Sequence, residues 1–201
     1  MNTPNMSISE YLDAFASSAP VPGGGGVSAV IGATAAAAAQ MVCSLTLGKK
    51  KFAPIEDEVN AIVERLEAAR KRLLELADED AKAFEPLAAA YADKSKTDDE
   101  MDELYITAAS VPMETMKICA NLADDIKFVA ENGSKLARSD AGCAAEYAKA
   151  AVRCEILNVK INVNSIKNET KRNALNEEAE TVYKEAVDKL DKIFEGVLWS
   201  I

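Results

Sequence analysis

PVPGGGGVSAVIGATAAAAAQMVCSLTLGKKKF, residues 20–52, places two prolines and four glycines ahead of an uncharged run that stops at three lysines. The uncharged part, Val27 to Leu47, has about the length that crosses a bilayer. Its content argues against a span. Alanine dominates it, and Ser28, Gly32, Thr34, Gln40, Ser44 and Thr46 interrupt it, so its hydrophobicity per residue falls far short of a leucine-rich segment. A helix that is small or apolar on every side, with residues that let neighbours approach closely, belongs at the centre of a soluble helical bundle.

The flanking sequence supplies the neighbours. Ser7 and Glu10 have the spacing of a capping box for a short first helix with Ile8, Leu12 and Phe15 as its apolar stripe. Pro54 suits the first turn of a long helix reaching about Tyr91, in which Val59, Ile62, Leu66, Leu73 and Leu76 recur at helical spacing. After the polar connection DKSKTDD, a helix from about Asp98 to Glu131 runs through Pro112 and stops at Asn132 and Gly133. Ser139 is the expected cap of the next, Asp140 to about Asn164, and a charged helix covers about Thr170 to Phe194. No segment shows the sustained alternation of a strand. The fold class is all-α: one domain over residues 1–201, an up-and-down bundle with a long buried Ala-rich central helix.

Composition removes several functions. Asp and Glu outnumber Lys and Arg 33 to 23, and a net charge of -10 repels nucleic acid and anionic membrane. Histidine is absent, which takes away the commonest general base and the commonest metal ligand. Cys43, Cys119, Cys143 and Cys154 form no C-x-x-C pair, and MNTPNMSISEYLD lacks the regions of a signal peptide, so reduced thiols and a cytoplasmic location are expected. The cysteines, with Met41, Met113 and Met116, are expected in the core.

The glycines open onto a helix rather than following a strand, so a dinucleotide fingerprint has lost its context. GKKK lacks the spacing and the Ser or Thr of a P-loop. Two readings remain for Gly23, Gly24, Gly25 and Gly26: a tight entry turn, or a loop whose free N–H groups and partial positive charge receive an anion, an oxyanion or a polar ring edge.

PGGGG opening an alanine-rich helix, SLTLGKKKF at its end, DEDAKAF at 78–84, SDAGCAA at 139–145 and NVKIN at 158–162 occur in an order that resembles the cyclodeaminase/cyclohydrolase family of folate enzymes. The likeness runs from about Ser7 to Lys167. One departure is Gly26, where many members carry Ser; the role of that hydroxyl would pass to the backbone or to Ser28. The resemblance implies a tetrahydrofolate substrate bearing a one-carbon unit and no cofactor beyond it, metal or redox. Such enzymes either add water to the methenyl ring, giving 10-formyltetrahydrofolate, or expel ammonia from the 5-formimino form. Cyclohydrolase is the favoured expectation because no formiminotransferase part accompanies the chain; cyclodeaminase is the alternative, and a non-catalytic helical dimer that binds folate or protein is the third.

Helix arithmetic distributes the candidates between two ends. Some 21 residues at ~1.5 Å each put Lys49, Lys50 and Lys51 about 32 Å from Gly26. The next helix brings Asp80 back to the glycine end, and the fifth starts Ser139 and Asp140 near the lysines and ends Asn158 and Asn162 near the glycines. Asp80 is the expected proton-transfer group, with Asp140 as second catalytic candidate. The glycines, the two asparagines, Ser139 and the lysines are expected to bind substrate, the lysines taking the glutamate tail, single or polyglutamylated. Each has a structural alternative: a solvated acid for Asp80, a dipole partner for Asp140, mutual amide contacts for the asparagines, a helix-end charge for the lysines. Antiparallel pairing of two copies would set one cluster against the other, which predicts a homodimer with sites between subunits.

Overall fold

Six α-helices and no strand make up the described residues, 2–93 and 95–201, of the computed structural model. They are α1 (Ile8–Phe15), α2 (Gly24–Ser44), α3 (Glu56–Ala90), α4 (Asp98–Asn132), α5 (Arg138–Val163) and α6 (Glu169–Leu198). The last five alternate in direction. At one end Asp80 of α3 meets the start of α2, and Asp102 near the start of α4 accepts from Lys167 and Asn168 at the α5–α6 turn. At the other, Thr46 just beyond α2 accepts from the N–H of Ser134 in the α4–α5 turn.

The core forms where the small residues of α2 let α3, α4 and α5 close around it. Ala29, Ala33, Ala36 and Ala39 of α2, Leu66, Leu73 and Leu76 of α3, Met116 and Ile126 of α4, and Ala145 and Val152 of α5 are buried together. By length and composition α2 passes the test for a membrane span, with mean hydropathy 1.6, yet 56% of that window is buried against the other helices. Val27, Ile31, Thr34, Ala38 and Met41 of α2, followed by Leu45, form an outward stripe that is exposed or only partly buried, so α2 is central without being enclosed.

Four local expectations are corrected. The capping box of Ser7 and Glu10 is present, but Ile8, Leu12 and Phe15 are exposed and the residue that α1 buries is Tyr11. Pro54 lies in a 3-10 turn, Lys50–Ile55, and α3 begins only at Glu56, whose first turn carries Glu56, Asp57 and Glu58 where the helix dipole favours them. Ser139 caps nothing: a 3-10 turn, Lys135–Ala137, runs straight into α5, so Ala137 takes the cap position and Ser139 is an exposed helical residue. Met41, Cys143 and Cys154 are exposed, while Met113, Met116, Cys43 and Cys119 are in the core.

Candidate active site

The first three N–H groups of a helix have no acceptor within it. In α2 these belong to Gly24, Gly25 and Gly26, with Gly23 as an extended N-cap. Gly26 donates to Asp80 Oδ2 at 2.9 Å. Among the described residues, no acceptor meets the N–H of Gly24 or Gly25. The absence of side chains here is a condition of the approach: a Cβ on Gly25 would stand 2.5 Å from Asp80 Oδ1, and one on Gly26 would stand 3.0 Å from the Ala77 carbonyl oxygen. Glycine therefore lets α3 press its carboxylate onto the start of α2. Ser28 is no substitute for a hydroxyl at Gly26, because it is buried and donates to Gly24 O at 2.6 Å.

Asp80 is drawn in two directions. Burial raises its pKa and the Gly26 N–H opposes this; burial prevails, leaving the group above the ordinary aspartate range. Behind it Tyr11 keeps a buried hydroxyl with no hydrogen-bond partner among the described residues, and burial, followed by the charges of Asp80 and Asp78, pushes its pKa up to about 12. Thr3 donates to Asp78 Oδ1 through its N–H at 3.0 Å and its hydroxyl at 2.6 Å, tying the segment before α1 to α3.

A cavity of about 260 Å³ lies in front of these groups, lined by Gly23, Gly24, Gly25, Asp80, Asn158 and Asn162, with Phe84, Tyr91, Pro112 and Ile161 as apolar walls. Seven of the predicted residues thus share one end, Gly26 from behind the wall. Asn158 Nδ2 donates to Cys154 O at 3.2 Å and Glu155 Oε2 at 3.0 Å, and Asn162 Nδ2 donates to Asn158 O at 3.0 Å. Asn158 spends both amide hydrogens inside α5 and keeps its carbonyl oxygen to offer, whereas Asn162 spends one and keeps a second hydrogen beside its oxygen.

The other predicted residues lie at the opposite end. Lys49, Lys50 and Lys51 are exposed; Lys49 donates to Leu45 O and Lys51 stands 4.4 Å from the Phe52 ring centre. Asp140 occupies the first turn of α5, half-buried. Among the described residues no hydrogen bond or ion pair joins Asp140 or Ser139 to the lysines. A larger cavity of about 500 Å³ at this end is lined by Lys127, Arg138, Lys189, Lys192 and Glu131 and contains none of the predicted residues. The smaller cavity is the one that brings together the half-buried Asp80, the amide oxygens of Asn158 and Asn162 and the N-terminus of α2.

Phe84, Tyr91, Tyr11 and Glu155 escaped sequence reading. Phe84 follows Asp80 by one helical turn and Glu155 precedes Asn158 by one, so the i, i+3 and i, i+4 neighbours of each candidate carried the signal.

The family model described as formiminotransferase-cyclodeaminase matches residues 7–181. A methenyltetrahydrofolate cyclohydrolase of Methylorubrum extorquens is 36% identical over 200 residues, covering 96% of each chain. A formimidoyltransferase-cyclodeaminase of Gallus gallus is 27% identical over 169 residues, 81% of this chain and 31% of that protein. The crystal structure of a formiminotetrahydrofolate cyclodeaminase from Thermotoga maritima superposes with a TM-score of 0.88 at 37% identity, covering 98% of this chain and 99% of that one.

Proposed function

The chain belongs to the formiminotransferase-cyclodeaminase family, and we propose that it is a methenyltetrahydrofolate cyclohydrolase, converting 5,10-methenyltetrahydrofolate and water to 10-formyltetrahydrofolate. The observation that carries this is the match over 96% of both chains with a relative named for that activity.

The site suits the reaction. Water adds to the cationic carbon between the two nitrogens while Asp80 takes one of its protons, giving a neutral tetrahedral adduct. The carbon–N5 bond then breaks, N5 gains the remaining hydroxyl proton, and the oxygen becomes the formyl carbonyl; one proton leaves to solvent overall. An aspartate raised above its ordinary range is a stronger base, and in its ionised form it also favours the cationic ring. The free N–H groups of Gly24 and Gly25 suit the adduct oxygen as it gives up its second proton and becomes a carbonyl, and the carbonyl oxygens of Asn158 and Asn162 suit ring N–H donors. Proton transfer and positioning suffice, so the reading calls for no cofactor beyond the folate.

Cyclodeaminase activity is the second reading, favoured by the solved relative of that name at 37% identity. Asp80 would then assist the departure of ammonia. Purified protein offered each folate, with methenyl absorbance and ammonia followed separately, decides: loss of methenyl absorbance without ammonia is the expected result, and ammonia release from the formimino substrate would move the assignment.

The working form in this proposal is a symmetric dimer. A 260 Å³ cavity holds the reacting rings but not the rest of a folate, and its rim residue Ile161 is 73% exposed. Ile161 ends an apolar stripe on α5 that also includes Leu157, Cys154, Tyr147 and Cys143. Since α2 and α5 pack together and both rest on α4, this stripe lies beside the outward stripe of α2. A second copy, antiparallel to the first, would cover both stripes and bring its lysine end to the open side of the cavity, where Lys49, Lys50 and Lys51 would receive the glutamate tail.

A further inference from the structure

Glu155 has no place in the chemistry just described, yet it occupies the most demanding position beside it. It is fully buried in α5, accepts from Asn158 Nδ2 through Oε2 at 3.0 Å, and has no partner for Oε1 among the described residues. An apolar side chain of similar size would pack there without that loss. What the carboxyl does accomplish is visible in Asn158. The amide has two hydrogens; one goes to Cys154 O and the other to Glu155, so its orientation is fixed. Its oxygen is then the group presented at the glycine loop, 3.4 Å from where a Cβ of Gly24 would be.

We propose that Glu155 is a positioning residue that holds the Asn158 amide from behind, so that the cavity presents a hydrogen-bond acceptor and selects a ligand edge carrying an N–H donor. In the folate reading, on which the choice of ligand rests, that edge is the amide and amino side of the pterin. A cavity that could turn the same asparagine around would accept a donor or an acceptor equally, and the discrimination would be lost.

The surroundings of Glu155 favour its protonated form. Burial raises its pKa well above the ordinary glutamate range, the hydrogen bond from Asn158 opposes this, and the charge of Asp80 adds to it. The titratable groups that act on it are Asp80 from α3 and the Cys119 thiol from α4. The segment of α2 has no charged side chain, and α6 spends Asp191 on Lys149 and Glu180 on Lys160 of α5. Because the folded-state value lies above the unfolded one, the stability supplied by this proton is complete below the ordinary glutamate range and is lost as pH rises through the folded value.

Three variants and three readouts test this. Glu155→Gln keeps a neutral acceptor for Asn158; Glu155→Leu and Glu155→Met remove it. With asparagine-labelled protein, the Asn158 side-chain NH₂ signals in a ¹⁵N spectrum are expected to be slow to exchange in the wild type and in the Gln variant, and fast in the Leu or Met variant that folds. That measurement needs no folate. In turnover, the Leu and Met variants should raise KM about tenfold with kcat within about twofold, the Gln variant should stay near wild type, and Glu155→Leu should have no further effect in an Asn158→Ala background. The fall of Tm at rising pH should be shallower in all three variants than in the wild type. Equal amide exchange in every variant, or a Gln variant as impaired as the Leu variant, overturns the proposal. A wild type that neither binds nor converts any folate overturns the functional reading instead, and the amide measurement still decides the role of Glu155.

Discussion

Asp80 is asked to be two things at once. As the acceptor for Gly26 N–H it closes the start of α2, a structural duty that any carboxylate or amide oxygen can perform. As the proposed base it must lose and regain a proton, which an amide cannot. Asp80→Asn separates the duties: turnover should fall roughly a hundredfold or more while folate affinity changes little and the circular dichroism spectrum is retained. Burial holds the folded-state pKa above the unfolded one, so the acid limb of kcat/KM should lie above the ordinary aspartate range and disappear in the variant. The same sign means that Asp80 contributes its proton-linked stability at low pH and loses it as pH rises through the folded value; the variant should gain in relative stability over that window. Near-normal turnover would remove Asp80 from the mechanism. Gly25→Ala is the complementary probe. It leaves every ionisable group in place but puts a methyl 2.5 Å from Asp80 Oδ1, and the movable partner is the carboxylate. Loss of kcat comparable to that of Asp80→Asn, in a folded protein, is the expected outcome; wild-type kinetics would show that the carboxylate need not lie against the loop.

At the scale of the element, the joint between α5 and α6 depends on a residue of neither. Asp102 of α4 accepts from Lys167 N–H at 2.6 Å and Asn168 N–H at 2.8 Å, in a buried position. Burial works to raise its pKa, but the two N–H bonds and the nearby Lys171 hold it below the ordinary range. Asp102→Ala should destabilise the protein by roughly 2–4 kcal/mol, read by denaturant unfolding, because two backbone donors lose their acceptor. In the wild type this contribution is present above the ordinary aspartate range and is lost as pH falls through the depressed value, so the difference between the two proteins should narrow on acidification. Such ties show where sequence reading stops. Val59, Ile62, Leu66, Leu73 and Leu76 announce α3 because one face of a helix repeats locally, and all five are fully buried. The bond from Asp102 spans 65 residues and leaves no local mark. The two-ended placement of Asp80, Asn158 and Lys49 was legible because alternation of direction in a bundle is simple arithmetic; the wall made by Tyr91 and Pro112 was not, because it depends on how helices rotate about their axes. Ser139 and Pro54 misled for one reason. A cap or first-turn residue is read from the helix it would start, and each joint was taken up by a 3-10 turn instead. The stripe of α1 misled because amphipathicity says which face is apolar, not what covers it: Ile8 is 81% exposed.

For the whole molecule, the unpartnered apolar faces and the charge distribution bear on the proposed dimer. Leu157 is 68% exposed, Ile161 73% and Met41 51%, all along helices that otherwise form the core. A solvated surface with this content is costly in a monomer and ordinary in a dimer interface. Leu157→Glu is expected to shift the protein from dimer to monomer in light scattering at micromolar concentration and to lower activity in parallel; a wild-type monomer, or an active monomeric variant, would end the dimer reading. The sharper test concerns which subunit supplies the lysines. Within one chain they lie about 30 Å from the glycine loop, by the length of α2, and cannot hold a tail whose rings are against Asp80. Replacing Lys49, Lys50 and Lys51 by Gln should weaken polyglutamylated substrate more than monoglutamate, with an effect that shrinks as salt rises. If the lysines serve the partner's cavity, a heterodimer of this variant with Asp80→Asn contains one site with both defects and one with neither. Mixing the two defective homodimers under conditions of subunit exchange should then restore about a quarter of wild-type polyglutamate turnover, since half the dimers are mixed and each has one intact site. Lysines acting within their own subunit would leave every site of the mixed dimer carrying one defect. No recovery above the mean of the two parents would therefore overturn the assignment of the lysines to the partner's cavity.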